Sequence, residues 1–163
     1  MDQQDKPGRL DRIDVKILNQ LQVDGRITNQ TLAEAVGLSP SPCLQRVRRL
    51  ERAGVIAGYR AELELRRVCR HVEVVAAVTL RRHAPEDFAG FAGLVAELPF
   101  VVECTKVSGA IDYLVRFVCP DLDAYHRLSD QLLKLGPEVA HLSSHVVLET
   151  VKPFRGFALD ALL

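Results

Sequence analysis

The stretch VGLSPSPCLQRVRRLE, residues 36–51, decides how the first part of this chain folds. Gly37 can end one helix in a left-handed conformation, and Ser39 followed by Pro40 can cap and start the next. Apolar residues at helical spacing predict the inward face of that next helix: Leu44, Val47 and Leu50. Two helices joined by so short a turn are typical of a helix-turn-helix, whose second helix can enter the major groove of DNA.

Caps and periodicity extend this pattern in both directions. Asp11 can cap a first helix, and Thr28 can cap a second that ends at Gly37. Downstream, the residues around Gly58 suit a short strand or wing. The apolar positions involved are Ile13, Ile17, Leu18, Leu21, Leu32, Ala33, Val36, Val55, Ile56 and Tyr59. We therefore predict a winged helix-turn-helix domain over residues 10–60, preceded by a flexible tail over residues 1–9.

The outer face of the third helix is basic and polar. Arginine can bind guanine and glutamine can bind adenine, and either can hold a phosphate. An isolated basic helix is usually a solvated surface, but the turn and helix before this one favour contact with double-stranded DNA. Residues 1–60 hold 10 basic and 7 acidic residues, against 11 and 14 in residues 61–163. The predicted DNA contacts are Ser39, Ser41, Gln45, Arg46, Arg48, Arg49 and Arg52.

The hydrophobic period changes after residue 73. Strands are predicted over 73–81, 100–107, 111–119 and 139–150, and helices over 85–98 and 121–135, the latter closed by Gly136-Pro137. The order βαββαβ is that of a ferredoxin-like domain, so the fold class is α+β. We place this domain at residues 73–153, with a linker at 61–72 and a C-terminal tail at 154–163.

Within the first predicted strand, residues 74–80 are apolar on both faces. Two helices can cover only one face of a four-stranded sheet, so the second face is expected to pack against another subunit. This argument predicts a homo-oligomer from the residues alone.

Composition excludes several classes of protein. The four cysteines lack Cys-x-x-Cys spacing, which argues against a zinc or redox site and suits reduced thiols in a cytoplasm. No apolar run approaches the roughly 20 residues of a membrane span, and the N-terminus is too polar for a signal peptide. We find no nucleophile with a base, no metal spacing and no phosphate loop, so we expect no cofactor, no metal and no enzyme activity. The predicted strands also lack the exposed aromatic residues of an RNA-recognition sheet.

Several short motifs resemble the leucine-responsive/asparagine-regulator (Lrp/AsnC) family. They are LDRID at 10–14, DGRI at 24–27, VGLSPSPC at 36–43, RVRRLE at 46–51, VSG at 107–109 and DYL at 112–114. The resemblance covers roughly residues 10–153. It implies a transcription regulator with a winged helix-turn-helix and a ferredoxin-like effector domain. Such proteins form dimers, commonly assembled into octamers, and respond to amino acids.

The resemblance also implies an effector site at the turn between the second and third strands. It assigns Gly109, Asp112 and Tyr113 to this site, with His145 on the facing last strand as a further candidate. Alternatively, Asp112 caps the turn, Tyr113 packs in the core and His145 is an ordinary strand residue. The family's usual turn is Gly-Asp-aromatic-Asp-Tyr, whereas this chain has GAIDY at 109–113. The less polar turn favours an apolar or sulfur-containing amino acid as effector.

Two functions remain open at this point. The first is a sequence-specific DNA-binding transcription regulator modulated by a small molecule, expected to be an amino acid. The alternative is an architectural, DNA-bridging protein that needs no effector, which the altered turn also permits.

Overall fold

The computed structural model describes residues 10–135 and 139–163, which form two compact units. The helical unit contains residues 10–62 together with Lys152–Leu163, and the sheet unit contains Leu63–Val151. The predicted tail at 1–9 and the predicted helix end at Gly136-Pro137 lie outside the described residues.

Three helices build the first part of the helical unit: α1 (Arg12–Val23), α2 (Asn29–Val36) and α3 (Pro40–Arg52). The Asp11 carboxylate accepts hydrogen bonds from the backbone N–H groups of Ile13 and Asp14, both at 2.9 Å, which caps α1. The Thr28 hydroxyl caps α2 in the same way, and Gly37 ends it with φ at +76°. These three predictions are confirmed. Ser39 makes no side-chain cap, so α3 starts on Pro40 alone.

The core of the helical unit corrects the predicted inward face of α3. Its buried residues are Ile17, Leu18, Leu32, Ala33, Val36, Cys43, Val47 and Leu50. The buried residues of α3 therefore begin at Cys43, and Leu44 is 37% exposed. Positions 43, 47 and 50 lie on one helical face, and residue 44 is turned roughly 100° away from position 43.

The segment predicted to be a short strand or a wing contains no strand within residues 53–64. Gly54 turns the chain with φ at +69°, and the N–H groups of Val55 and Ile56 then donate to the Leu50 carbonyl at 3.0 and 3.2 Å. The Tyr59 hydroxyl donates to Glu51 at 3.0 Å. The segment therefore folds back over the end of α3, where its apolar side chains reach the core.

The sheet unit has the predicted order of elements. They are β1 (Val72–Leu80), α4 (Pro85–Ala96), β2 (Val101–Lys106), β3 (Tyr113–Cys119), α5 (Leu122–Leu135) and β4 (Val139–Val146). The four strands form one antiparallel sheet in the order β2-β3-β1-β4. The α+β class is confirmed. Strands β3 and β4 are shorter than predicted, and the predicted linker contains a 3₁₀ turn, Leu65–Arg67.

One face of the sheet is covered within the chain and the other is not. Both helices bury the face that carries Val74, Ala76 and Val78 of β1, all 0% exposed. The alternate residues of β1 point to the other face and are only half-buried. The outer face thus keeps apolar surface, including Leu114 at 40% exposure.

The predicted C-terminal tail, residues 154–163, packs against the first helices, since Lys152–Leu163 belongs to the helical unit. The Gln22 amide accepts from the Phe157 N–H at 2.6 Å and donates to the Phe157 carbonyl at 3.2 Å. The short helix α6 (Leu159–Leu162) packs Leu159 against the core. Gly156, with φ at +113°, lets the backbone pass so close that a Cβ there would lie 2.8 Å from the Gln22 side-chain oxygen.

We predict that Gln22→Ala opens the helical unit locally. It removes both hydrogen bonds to Phe157, each of which contributes about 1 kcal/mol. Hydrogen exchange of the α1 amides in the full chain should speed up correspondingly. Gln20→Ala, at an exposed position of the same helix, is the control. Equal protection in both variants would contradict a docked C-terminal segment.

Candidate nucleic-acid interface and effector turn

A buried carboxylate joins α1 to α3. Asp14 is 0% exposed, and its two oxygens bind Arg46 Nη1 at 2.9 Å and Arg49 Nη2 at 2.5 Å. Arg46 Nη1 also binds Asp11 at 2.6 Å. A buried ion costs several kcal/mol unless partners surround it, and Asp14 additionally accepts the Asp11 N–H at 3.1 Å. We call these four residues the ion cluster.

Two members of the ion cluster, Asp11 and Arg46, have pKa values shifted towards their charged forms. The Asp14 N–H, and then the Arg46 guanidinium, lower the pKa of Asp11 below its ordinary value of 3.8. Hydrogen bonds from Arg46 to Asp11 and then Asp14 raise the pKa of Arg46. The contribution of Asp11 to stability is therefore full above pH 3.8 and is lost as the pH falls through its lowered pKa.

The cluster changes the position predicted for two arginines. Arg46 and Arg49 lie on the flank of α3 that faces α1, and not on a free outer face. Their side chains are 28% and 51% exposed. The sequence did contain a signal for this, since Asp14 interrupts the apolar stripe of α1 between Ile13 and Ile17. A carboxylate in such a stripe needs a cationic partner from a neighbouring helix.

The outer face of α3 is a stripe of exposed side chains that we call the reading stripe: Ser41, Gln45, Arg48 and Arg52. Their spacing of four, three and four residues puts all of them on one side of the helix. In the described part of the chain, no carboxylate pairs with Arg48 or Arg52. Ser39 is exposed at the N-terminal end of α3, where unpaired N–H groups attract anions. This arrangement presents guanidinium and amide groups together.

At the predicted effector turn, Asp112 is held by the chain itself. Its Oδ2 accepts the Leu80 N–H at 2.7 Å, and Nε2 of His83 lies 3.1 Å from Oδ1 and 3.2 Å from Oδ2. The Asp112 N–H donates to the Val78 carbonyl at 2.8 Å. Gly109 has φ at +122°, as the turn needs. Asp112 thus fixes the turn to the end of β1.

The other two predicted effector residues lie elsewhere. Tyr113 is 5% exposed in the core, its ring centroid 4.6 Å from that of Phe91, and burial raises the pKa of its hydroxyl. His145 is exposed on β4 and pairs with Val75 of β1. The turn lies beside Val78 of β1, on the side where β3 pairs, whereas His145 lies on the other side of β1, beside Val75. The strand rises by about 10 Å between Val75 and Val78. A single chain does not bring His145 to the turn.

The structure also contains features that the sequence does not reveal. A groove of about 490 Å³ runs between α4 and β2 and is lined by Val95, Val101, Cys104 and Lys106, among others. The Lys106 ammonium lies 3.2 Å from the centroid of the Phe88 ring, an attractive cation–π contact. Among the residues described, no cluster of histidine, cysteine or acidic groups could hold a metal ion, and no helix is long and apolar enough to cross a membrane.

Two protein-family models match this chain. One, described as winged helix-turn-helix DNA-binding, matches residues 10–57. The other, described as the Lrp/AsnC ligand binding domain, matches residues 73–157. Together they cover both units.

Known proteins match over nearly the whole chain. The leucine-responsive regulatory protein of Escherichia coli K12 is 46% identical over 153 residues, 93% of each chain. Transcriptional regulatory protein DoeX of Halomonas elongata is 44% identical over 155 residues, 94% of this chain and 98% of that protein. Among solved structures, a transcriptional regulator/L-Met complex from Neisseria meningitidis superimposes with a TM-score of 0.87 at 35% identity, covering 95% of this chain and 100% of that one.

We predict that Arg46→Ala destabilises the helical unit by about 1.5–3 kcal/mol, because it leaves the buried Asp14 with one cationic partner fewer. Arg52→Ala should change stability by less than about 0.5 kcal/mol, since Arg52 is exposed. Hydrogen exchange of the α1 and α3 amides in the full chain measures both. Indistinguishable protection in the two variants would mean that the ion cluster does not stabilise the unit.

Proposed function

Since the chain belongs to the Lrp/AsnC family of transcription regulators, we propose that it binds specific DNA sequences through α3 and responds to a small molecule, namely an amino acid. Its relatives are transcriptional regulators and not enzymes. DNA is the partner that the family requires, and we expect the protein to act in the cytoplasm.

The observation that carries the DNA-binding proposal is the reading stripe on a helix held by the ion cluster. Arg48 and Gln45 carry groups that can bind base edges in the major groove. Ser39, Ser41 and Arg52 are assigned to phosphates, which fix the position of the protein along the duplex. Arg46 and Arg49 are assigned chiefly to positioning α3, because their guanidinium groups already bind carboxylates.

We predict that Arg48→Ala weakens binding to a site selected from random DNA by about 1–3 kcal/mol and relaxes the base preference at one position. Arg52→Ala should instead weaken binding to all sequences alike and reduce the slope of log affinity against log salt by about 1. Lys134→Ala, in the exposed part of α5, is the control. Unchanged affinity in both arginine variants would contradict docking through the reading stripe.

We propose that the effector site is completed by a second copy of the chain. Within one chain, Asp112 and His145 are apart, and the outer face of the sheet keeps apolar surface that a second copy can bury. The proposed assembly is a dimer that associates further into an octamer. Such a site supports regulation, because a ligand held between subunits binds one assembly better than another.

For the ligand we propose an apolar or sulfur-containing amino acid. Ala110 and Ile111 make the turn less polar, and the Neisseria relative forms a complex with L-Met. The ligand's ammonium group is proposed to replace the His83 side chain, which is 61% exposed, beside Oδ1 of Asp112. Oδ2 of Asp112 can then keep its hydrogen bond from the Leu80 N–H.

Calorimetry with each of the twenty amino acids at millimolar concentration tests the effector. We predict heat with methionine or leucine. Asp112→Asn should lose at least tenfold in affinity, because asparagine lacks the charge that an ammonium group requires. His83→Ala should lose none, because the ligand is proposed to replace the His83 side chain. Asp112→Asn should leave DNA affinity without ligand unchanged. Heat from none of the amino acids, with an unchanged oligomer size, would favour the effector-independent, DNA-bridging alternative.

A further inference from the structure

Leu44 is an apolar side chain on the outer side of α3. It is 37% exposed, whereas Cys43, Val47 and Leu50 on the inner face are at most 9% exposed. A leucine in this position does little for the core. Its exposed surface is free to make an apolar contact outside the helical unit.

The neighbours of Leu44 are those of the reading stripe. Ser41 lies one turn before it and Arg48 one turn after it, on the same side of the helix, and Gln45 is adjacent. Leu44 also lies in the N-terminal half of α3, the part of a recognition helix that contacts base edges. It would therefore enter the groove together with the hydrogen-bonding side chains.

We propose that Leu44 contacts the C5-methyl group of a thymine in the major groove. That methyl is the largest apolar group that the bases present there: cytosine has only a hydrogen on the same carbon, and the polar edge groups are hydrogen-bond donors and acceptors. A leucine packed against a donor or acceptor would leave that polar group without a hydrogen-bond partner. Leu44 therefore selects thymine at one position in each half-site, the half of the DNA site that one subunit of the proposed dimer binds. The inference rests on the proposed docking of α3 in DNA.

Deoxyuridine provides the test, because it pairs as thymine does and lacks only the methyl group. Each thymine of a selected site is replaced in turn, and the affinities of the full-length wild-type protein and of Leu44→Ala are compared. Burial of one methyl corresponds to about a fourfold change in affinity. We expect such a loss for the wild type at one position per half-site, and no loss at that position for Leu44→Ala.

Two variants keep the outcome interpretable. Leu44→Met retains an apolar side chain of similar size and should keep the sensitivity to deoxyuridine. Arg48→Ala should weaken binding overall but keep the sensitivity at the same position. A wild-type protein insensitive at every thymine, or Leu44→Ala as sensitive as the wild type, overturns the inference while binding through Arg48 stands. Affinity that is independent of both Arg48 and Arg52 would instead remove the proposed docking itself.

Discussion

The carboxylate of Asp14 lies between α1 and α3, and the direction of the reading stripe depends on it. An unpaired buried charge is unfavourable by several kcal/mol, so rotation or sliding of α3 that pulled Arg46 and Arg49 from Asp14 would be penalised strongly. Apolar packing of Cys43, Val47 and Leu50 tolerates small slips, whereas charged hydrogen bonds at 2.5–2.9 Å do not. Packing holds the two helices together, and the ion cluster fixes their register.

Because the ion cluster uses two arginines of α3, the net positive charge that the helix offers to DNA is smaller than its sequence suggests. Four arginines on α3 suggest a strongly cationic surface, but the carboxylates of Asp11 and Asp14 neutralise two of them. The reading stripe then presents two unneutralised guanidinium groups, an amide and a hydroxyl. Sequence preference in such an interface depends more on which groups line up along the groove than on total positive charge.

Local signals in the sequence predicted most of the fold. The caps at Asp11 and Thr28, the left-handed Gly37 and the order of strands and helices all depend on nearest neighbours, which a sequence displays directly. The errors have a different physical origin. The orientation of Leu44 depends on helical phase, and the location of His145 depends on the register of β4 against β1. Partners across long separations, such as Arg46 with Asp14, depend on tertiary packing that periodicity does not encode.

The docked C-terminal segment makes the helical unit discontinuous in sequence. Its two parts, residues 10–62 and Lys152–Leu163, are separated along the chain by all the residues of the sheet unit. During synthesis the three helices α1 to α3 emerge before the sheet unit, yet Gln22 gains its partner Phe157 only after the sheet unit has been made. Closing a loop of some 130 residues also costs conformational entropy, a cost that forming the local helices does not include. Completion of the helical unit thus reports that synthesis has passed the sheet unit, and a product terminated within that unit would lack the contact.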